Sequence, residues 1–471
     1  MKILGFGLDF KGKPLFKPVD GATFEQALID ALARNGDRLQ KSTKATSAAF
    51  SYRGETPRRV VDLGDPHAAG WSLLVHSNDP QRPEFEAILE PLARHRGMSD
   101  PKSPLVFNDE PPEEWFDWLH DSYYALDLEG KKAPQYILIV GGPERIPFRF
   151  QSLLDTVASV GRVAFDGVND LKQYVDKLLR LEKANAPTVS REAFFFAPDG
   201  GPDDPTHFSR QYMAEPLAAH VEKELKFTVH KKVGDEATKM NLLAALRGHT
   251  PSLVYTASHG LGATSEPLET QKRYNGAICC QHSGDLTLDA LFTGDDVPKY
   301  EPFLEGAVFF QFACFGYGTP AESDYSHWLK GVPEKYTSAD FVANLPKQLL
   351  AHPRGPIAFV GHLDTAFLHA FADPEAPEAL DRWHNRIAPF KEAVDQMLAV
   401  QPSGLAMEKM GQRYSVCNTL ITDTYDRDRR GKVKWTPERR ARFLDTWITR
   451  NDAQNYMVFG DPAARLRIPS E

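Results

Sequence analysis

Cysteine is scarce in this chain, whose 471 residues include only four, at Cys279, Cys280, Cys314 and Cys417. Four cysteines are too few for a disulfide framework, and two adjacent ones cannot easily bridge each other. We therefore expect reduced thiols. A reduced thiol such as that of Cys314 is free to react.

Long apolar runs and signal-peptide features are also missing. No apolar run approaches the ~18 residues of a membrane span, and Asp9 interrupts the amino terminus before a signal-peptide core forms. The net charge is −9, the pI is near 6.0, and no block of Lys and Arg provides a nucleic-acid surface. We expect a cytoplasmic protein whose partners are a protein or peptide substrate and an activating protein or ligand, with no nucleic acid and no membrane.

Several common motifs are absent. The chain has no G-x-S-x-G elbow, P-loop or H-E-x-x-H, and Gly141-Gly142 lacks the rest of a G-x-G-x-x-G fingerprint, so we interpret it as a tight turn. Cys279-Cys280-Gln281-His282 suggests a metal, but adjacent cysteines bind one ion poorly and no second pair follows at ligand spacing. We expect neither a metal nor another cofactor.

The composition that remains is that of an ordinary globular protein, with 42% apolar and 25% charged residues. Because the length exceeds what one hydrophobic core usually serves, we expect several packed units. We predict a supporting or regulatory region over 1–130, a first α/β subdomain over 131–235, and a catalytic subdomain with C-terminal helices over 236–471.

Apolar strand patterns alternate with amphipathic helices along most of the chain. This alternation implies right-handed crossovers and a mostly parallel sheet, so the predicted fold class is α/β. The predicted strands cover residues 71–76, 136–142, 159–163, 193–197, 227–231, 253–257, 307–312, 356–364 and 456–462. The predicted helices cover residues 24–34, 85–96, 170–183, 212–225, 239–247, 338–352, 377–423 and 437–450.

Two of these strands end in turns that carry reactive side chains. One turn reads Ser258-His259-Gly260, and the other, Ala313-Cys314-Phe315-Gly316, places its cysteine 55 residues after the histidine. Reactive groups gather at the carboxyl ends of parallel strands. A cysteine nucleophile needs a base such as histidine. The amides of Gly260 and Phe315 would stabilise an oxyanion, at ~3 kcal/mol per donor.

Each residue alone also has a structural interpretation. Cys314 alone is more typical of a buried core thiol, and His259 alone of a hydrogen-bonded residue at a strand end. The two together, each with a glycine beside it, favour catalysis. Glu144, Glu266 and Asp324 could each orient His259, although each is more typical of a solvated loop charge.

The order of these pieces resembles a known family. Ala313-Cys314-Phe315-Gly316 partly matches the caspase pattern Gln-Ala-Cys-x-Gly, although Phe312 stands in place of the glutamine. Over about residues 136–466 the chain resembles the gingipain-like cysteine peptidases of the caspase, gingipain and legumain fold. The matching pieces are 137–142, Asp155, Gly161-Arg162, Ser258-His259-Gly260, Ala313-Cys314, 357–361 and 458–462.

This resemblance implies a caspase-like three-layer sandwich. His259 would be the general base and acid, Cys314 the nucleophile, and an acyl-enzyme the intermediate. Asp155 would lie at the base of the substrate pocket and favour Arg or Lys at the cleaved position. Phe367, His362 and Asp364 would line or shape that pocket.

The prediction is an intracellular cysteine endopeptidase that cuts after Arg or Lys through a Cys314–His259 dyad. Arg162 leaves an acidic preference open, and a protease with another specificity is one alternative. A catalytically silent interaction module of the same fold is a second alternative, and a transferase or ligase using the same acyl-enzyme is a third. The basic segment 427–432 offers a site for self-cleavage.

Overall fold

A ten-stranded sheet forms the centre of this computed structural model. The structure describes residues 5–15, 61–98, 100–128, 132–325, 335–372 and 380–469, with short pieces at 2–3, 19–23 and 26. The helix predicted over 24–34 falls largely outside these residues.

The strands follow one another from the amino terminus to the last described residues. In chain order they are β1 (Lys2–Ile3), β2 (Gly7–Leu8), β3 (Val19–Asp20), β4 (Trp71–His76), β5 (Leu105–Phe107), β6 (Tyr136–Val140), β7 (Ser159–Val163), β8 (Ser190–Ala197), β9 (Thr228–Val233), β10 (Pro251–Ala257), β11 (Gly260–Leu261), β12 (Ile278–Cys279), β13 (Leu291–Phe292), β14 (Val308–Phe312), β15 (Gly318–Thr319), β16 (Phe341–Val342), β17 (Ala358–His362) and β18 (Tyr456–Phe459).

The large sheet has the order β5-β4-β6-β7-β18-β17-β14-β10-β8-β9. Adjacent strands in this sheet are parallel, except for β17 and β18, which are antiparallel to each other. A smaller sheet has the order β13-β12-β11-β2. The small sheet adjoins the carboxyl end of β10, because β11 begins three residues after that strand ends.

Helices connect these strands. The α-helices are α1 (Pro66–Ala69), α2 (Arg82–His95), α3 (Trp115–Trp118), α4 (Ala125–Leu128), α5 (Phe148–Leu154), α6 (Val168–Lys183), α7 (Pro205–Ser209), α8 (Glu215–Lys223), α9 (Lys239–Gly248), α10 (Leu268–Tyr274), α11 (Asn344–Ala351), α12 (Leu380–Leu398), α13 (Ser403–Ala406), α14 (Glu408–Arg429) and α15 (Pro437–Gln454). Across the described residues, no helix is both long and apolar enough to cross a lipid bilayer.

The central strands are apolar on both faces because helices cover both faces. In β6, Leu138 and Val140 belong to one hydrophobic cluster with residues of α6, whereas Ile137 and Ile139 belong to another with residues of α5. A strand buried on both sides reads as a continuous apolar run instead of an alternating one. The predicted α/β sandwich with a mostly parallel sheet is therefore confirmed.

Several predicted elements differ from the observed ones at their ends, and short elements such as β5 and α5 were not predicted. The helix predicted over 338–352 begins at Asn344, because Phe341–Val342 forms β16 and pairs with β15. The α-helix predicted over 212–225 begins at Glu215, after a π-helical segment at Arg210–Ala214.

Main-chain hydrogen bonds cross the predicted domain boundaries. Strand β4, from the region 1–130, pairs with β6, and β8 pairs with β10 across residue 235. The strands of all three predicted units thus share one sheet. The division into three units stays a prediction.

A buried charged cluster joins the last turn of the chain to two helices. The Arg96 guanidinium donates to Asp461 at 2.7 Å and to Glu182 at 2.5 and 2.6 Å, and the Trp71 indole donates to Asp461 at 2.9 Å. Asp461 is fully buried. Burial would raise the pKa of Glu182, but Arg96 and His95 outweigh it and lower the pKa to about 2. Each buried charge is thus balanced by a partner.

Asp461→Ala is expected to lower the free energy of unfolding by about 3–5 kcal/mol, because it removes a partner from a buried guanidinium. Urea unfolding measures the change. The control is Asp176→Ala, which removes an exposed carboxylate paired with Lys172 and is expected to cost under about 1 kcal/mol. Equal losses in the two variants would contradict a structural role for the Asp461 cluster.

Candidate active site

The register of two parallel strands places His259 beside Cys314. Ala257 of β10 pairs with Phe312 of β14, and the Ser258 amide donates to the Phe312 carbonyl at 3.1 Å. His259 and Cys314 each lie two residues beyond this last pair. Both turns therefore leave the same edge of the sheet at the same level.

The two turns pack closely because Gly260 has no side chain. A Cβ built at Gly260 would overlap the Cys314 carbonyl oxygen, and one built at Gly276 would overlap the Phe315 carbonyl. Phe315 itself has a φ of 58°, in the left-handed region that few non-glycine residues adopt. The backbone around the cysteine is thus held in a tight, uncommon conformation.

Both ring nitrogens of His259 face hydrogen-bond acceptors. Nδ1 lies 2.7 Å from the Phe6 carbonyl, and Nε2 lies 2.8 and 2.9 Å from the two carboxylate oxygens of Asp204. Both ring nitrogens are therefore already engaged by groups of the protein.

Asp204 is a site residue that sequence reasoning missed. It caps α7, where its carboxylate accepts from the Thr206 amide at 2.8 Å and from the Thr206 hydroxyl at 2.5 Å. Burial would raise the pKa of Asp204, but His259 and Thr206 outweigh it and lower the pKa to about 2. Asp-Pro-Thr indicates a helix start in the sequence, but it does not reveal a contact with a histidine 55 residues away.

The Cys314 thiol is fully buried. Its sulfur accepts from the Ala366 amide at 3.2 Å and lies 3.7 Å from the Ala366 carbonyl oxygen, to which the S–H donates. Burial raises the pKa of this thiol, although the amides of Ala366 and Phe6 act in the opposite direction. Cys314 is thus a neutral thiol here.

A segment from the amino terminus covers the cysteine. We call residues 5–15 the N-terminal strap. Strand β2 of the strap pairs with β11 in parallel, and Gly5 forms an antiparallel bridge with Phe367. The Phe6 amide donates to the Ala366 carbonyl at 3.2 Å, and the Gly260 amide donates to the Phe6 carbonyl at 3.1 Å. The strap therefore lies between the His259 turn and the loop after β17.

The two predicted oxyanion donors have different partners. The Gly260 amide binds a carbonyl oxygen, that of Phe6, whereas the Phe315 amide donates to the Asp364 carbonyl at 2.9 Å. A peptide carbonyl therefore already occupies the position in front of Gly260. The oxyanion role of both amides stays a prediction.

Asp155 follows α5 and comes shortly before β7. Because β7 and β18 run antiparallel to β17 and β14, the beginning of β7 lies at the same sheet edge as the carboxyl ends of β14 and β17. Asp155 lines a cavity of about 80 Å³, together with Gly411 and Tyr414 of α14. Burial raises the pKa of its carboxyl, against the opposing effects of the Val160 amide and Arg162. The role of Asp155 in substrate binding stays a prediction.

Phe367 and Asp364 lie close to the cysteine. Phe367 follows Ala366 and packs edge-on against Tyr325, with ring centroids 4.5 Å apart. The Asp364 carboxyl accepts from the Ser323 hydroxyl at 2.9 Å and from the amides of Asp324 and Thr365 at 2.9 and 2.6 Å. The Asp364 side chain thus holds the loop that starts at Ser323.

His362, the other predicted pocket residue, is fully buried at the end of β17, where Nε2 lies 3.3 Å from Asp452. Arg162, the alternative specificity residue, is also buried. Its guanidinium donates to Gln151 and to the carbonyls of Gly141 and Ile146 at 2.7 to 2.9 Å. Both side chains are engaged inside the fold. Their substrate roles stay predictions.

The sequence candidates for orienting His259 have other surroundings. Asp324 binds Arg149 at 2.6 Å, and Glu144 lines a cavity of about 310 Å³ near Gly141. Glu266 is exposed. Asp204 instead provides the carboxylate.

One group of described side chains has the chemistry of metal ligands, namely Glu192, His230 and His249. The two imidazoles stack with centroids 3.9 Å apart, and both approach one Glu192 oxygen, at 3.1 and 3.5 Å. This group lies near the beginning of β8 and β10, at the sheet edge opposite His259. Cys279 and Cys280, singled out in the sequence, pack in hydrophobic clusters instead.

The pKa of Asp364 is expected to make stability depend on pH. Burial, with a contribution from Asp324, raises the pKa from 3.8 to about 7. Below pH ~4 both folded and unfolded states hold the proton. Between pH ~4 and ~7 only the folded state holds it, so stability falls by up to ~1.4 kcal/mol per pH unit; above ~7 the loss is complete.

Asp364→Asn removes this titration. The free energy of unfolding of the variant is expected to fall less than that of the wild type between pH 5 and pH 7.5. Urea unfolding at both pH values measures the difference, in which the other titrating groups cancel. The same decrease in both proteins would show that Asp364 is ionised in the fold.

No family model and no curated protein matches this chain. Among solved structures, it is similar to the complex of the RgpB pro- and mature domains of Porphyromonas gingivalis, with a TM-score of 0.47 and 14% identity over 84% of this chain and 79% of that chain. It is also similar to the Arg-specific cysteine proteinase gingipain R, with a TM-score of 0.45 and 14% identity over 87% of this chain and 80% of that one.

A third structure, of a protease, has a TM-score of 0.46 and 11% identity over 85% of this chain and 79% of that chain. The sequence motifs predicted a resemblance to gingipain-like structures, and the similar structures include gingipain R.

Proposed function

We propose that this chain is a cysteine endopeptidase in which Cys314 is the nucleophile, His259 the general base and acid, and Asp204 the residue that positions His259. The observation that carries the proposal is the pairing of Ala257 with Phe312, which brings the histidine and cysteine turns together. Adjacent carboxyl ends of parallel strands are where α/β proteins place reactive groups.

In this proposal each nitrogen of His259 has a separate task. Nε2 is held by Asp204, so Nδ1, which now faces the Phe6 carbonyl, is the nitrogen available to the thiol. In the neutral tautomer that keeps its proton on Nε2, His259 takes the proton of Cys314 at Nδ1, and the thiolate attacks the substrate carbonyl carbon. The Gly260 amide donates to the resulting oxyanion.

Collapse of this intermediate breaks the carbon–nitrogen bond, and Nδ1 returns its proton to the leaving amine. Water then attacks the thioester while Nδ1 accepts a proton from it. The carbon–sulfur bond breaks and the thiol is restored. Asp204 stays ionised throughout, because its pKa is about 2.

We further propose a preference for Arg or Lys at the cleaved position and a cytoplasmic location, as the sequence suggested. The basic preference rests on Asp155, whose role in substrate binding is itself a prediction, so the specificity must be measured. A peptide library in which the residue before the cleaved bond varies serves this purpose.

A catalytically silent interaction module is the second candidate. The full burial of Cys314 and the occupied nitrogens of His259 favour it. Thiol labelling of the opened cleft distinguishes the two, because only in a peptidase does the exposed Cys314 react faster than an ordinary exposed thiol.

Cys314→Ala is expected to abolish hydrolysis of the peptide library, because no other group in the site forms the acyl-enzyme. Fluorescence release over time measures it. The matched control is Cys417→Ala, which removes another buried thiol from α14 and is expected to keep full activity. Activity that survives in Cys314→Ala would contradict the assignment.

Asp204→Asn is expected to lower kcat about 10²-fold with little change in KM, because the amide cannot balance the imidazolium charge. It should also alter the pH profile of kcat. Asp203→Asn, at the exposed neighbouring residue, is the control, and Asp204→Glu should recover part of the rate. An unchanged kcat and pH profile in Asp204→Asn would exclude a positioning role.

A further inference from the structure

The N-terminal strap occupies the space that a peptide substrate would need. Residues 5–8 are extended and lie between two stretches of main chain, β11 on one side and Ala366–Phe367 on the other. Phe6 is 253 residues away from His259 in the chain, yet its carbonyl is bonded to that ring. The strap is thus held in the manner of a separate peptide.

Main-chain hydrogen bonds hold the strap along its length. The amides of Gly260 and Gly262 donate to the carbonyls of Phe6 and Leu8, at 3.1 and 2.7 Å, and the Phe6 amide donates to the Ala366 carbonyl. Adding an extended segment to the edge of a sheet is a common mode of peptide recognition. Here β2 completes the edge of the small sheet.

The Phe6 side chain anchors the strap in an apolar pocket. Its ring is fully buried, with centroids 5.0 Å from Phe312, 6.2 Å from Phe371 and 5.9 Å from the His259 ring. Burying an aromatic ring stabilises a contact more than most other side chains do. Phe6 is therefore the residue whose removal should loosen the strap most.

The strap also blocks the chemistry. The Phe6 carbonyl is hydrogen-bonded to the two groups that the reaction requires, the Gly260 amide and Nδ1 of His259. A thiol that is buried beneath the strap, beside an imidazole whose Nδ1 is engaged by the Phe6 carbonyl, has no free base to activate it. The closed arrangement is therefore inactive.

We propose that the N-terminal strap is a built-in inhibitor that binds the peptide cleft like a substrate, with Phe6 as its anchor and the Phe6 carbonyl in the oxyanion position. The inhibitory effect rests on the proposed function, since release of the strap would activate the peptidase. The occlusion of Cys314 can be tested separately from hydrolysis.

The experiment compares the wild type, Phe6→Ala and Phe10→Ala. Phe10 belongs to the same strap but packs against Tyr274, with centroids 5.5 Å apart, so Phe10→Ala is a matched loss of one ring that does not touch His259. Each protein is treated with iodoacetamide, and labelling is assigned to each cysteine by peptide mapping. The three other cysteines are also buried and report any general unfolding.

In Phe6→Ala, labelling of Cys314 is expected to accelerate about tenfold or more, because the rate follows the fraction of molecules in the open state. Cys279, Cys280 and Cys417 should stay protected, and Phe10→Ala should resemble the wild type. Fast labelling of Cys314 in the wild type, or no acceleration in Phe6→Ala with the fold intact, would overturn the proposal.

Phe6→Ala could lose the fold, in which case several of its cysteines would be labelled. The test then uses a different variant and a peptide added in trans. In that case the strap is weakened instead by Gly7→Pro, which removes a main-chain donor from β2. The peptide Gly-Phe-Gly-Leu-Asp, the sequence of residues 5–9, should restore protection of Cys314, and Gly-Ala-Gly-Leu-Asp should not. Equal protection by both peptides, or by neither, would contradict Phe6 as the anchor.

Hydrolysis of the peptide library by the same variants separates the two proposals. Faster labelling together with a gain in kcat/KM of about tenfold or more supports the inhibitory strap and the peptidase. The labelling rate and kcat/KM both follow the fraction of molecules in the open state. Faster labelling without hydrolysis supports the strap and contradicts the peptidase. Hydrolysis by the wild type at the rate of Phe6→Ala contradicts the strap and supports the peptidase.

Discussion

The candidate site depends on one register of main-chain hydrogen bonds, that between β10 and β14. A shift by one residue would turn every side chain of the strand to the opposite face. Because both strands are buried on both faces, packing specifies the register strongly. The constraint continues past the strands, where Gly260 lies against the Cys314 backbone and leaves no room for a Cβ. Strand pairing thus fixes the positions of the two reactive groups.

Three further groups depend on this arrangement. Asp204 caps α7 and reaches His259 from outside the two strands, so the position of a short helix decides how the imidazole is oriented. Ala366 reaches Cys314 from the loop after β17. The strap enters between them and binds both sides. The candidate site is therefore assembled from five distant parts of the chain, namely the strap, Asp204, His259, Cys314 and Ala366.

Much of the fold follows from local patterns. The strands at Tyr136–Val140, Pro251–Ala257 and Val308–Phe312 read as uninterrupted apolar runs because helices bury them on both faces. Given parallel strands, the rule that reactive groups lie at carboxyl ends places His259 and Cys314 at the same edge of the sheet; the pairing of β10 with β14 then makes them neighbours. These features could be predicted because each depends on neighbours in the sequence or on a general rule of parallel sheets.

The remaining features depend on tertiary packing that leaves no local signal. Asp204 reads as a helix cap, and nothing in its neighbourhood indicates His259. Phe6 lies in a short apolar segment, and its pairing partners lie more than 250 residues away. Asp155 was assigned from the order of motifs alone, and that order does not indicate its contact with α14, where Gly411 packs against its carbonyl.

The central claim is that Cys314 and His259 act as a pair. The most direct test is the rate at which iodoacetamide alkylates Cys314 in a protein with a loosened strap, Phe6→Ala, compared with the same protein carrying His259→Ala as well. If His259 activates Cys314, loss of the imidazole slows alkylation of Cys314 to the rate of an ordinary exposed thiol. An unchanged rate would show that the histidine does not activate the cysteine, and would contradict their action as a pair.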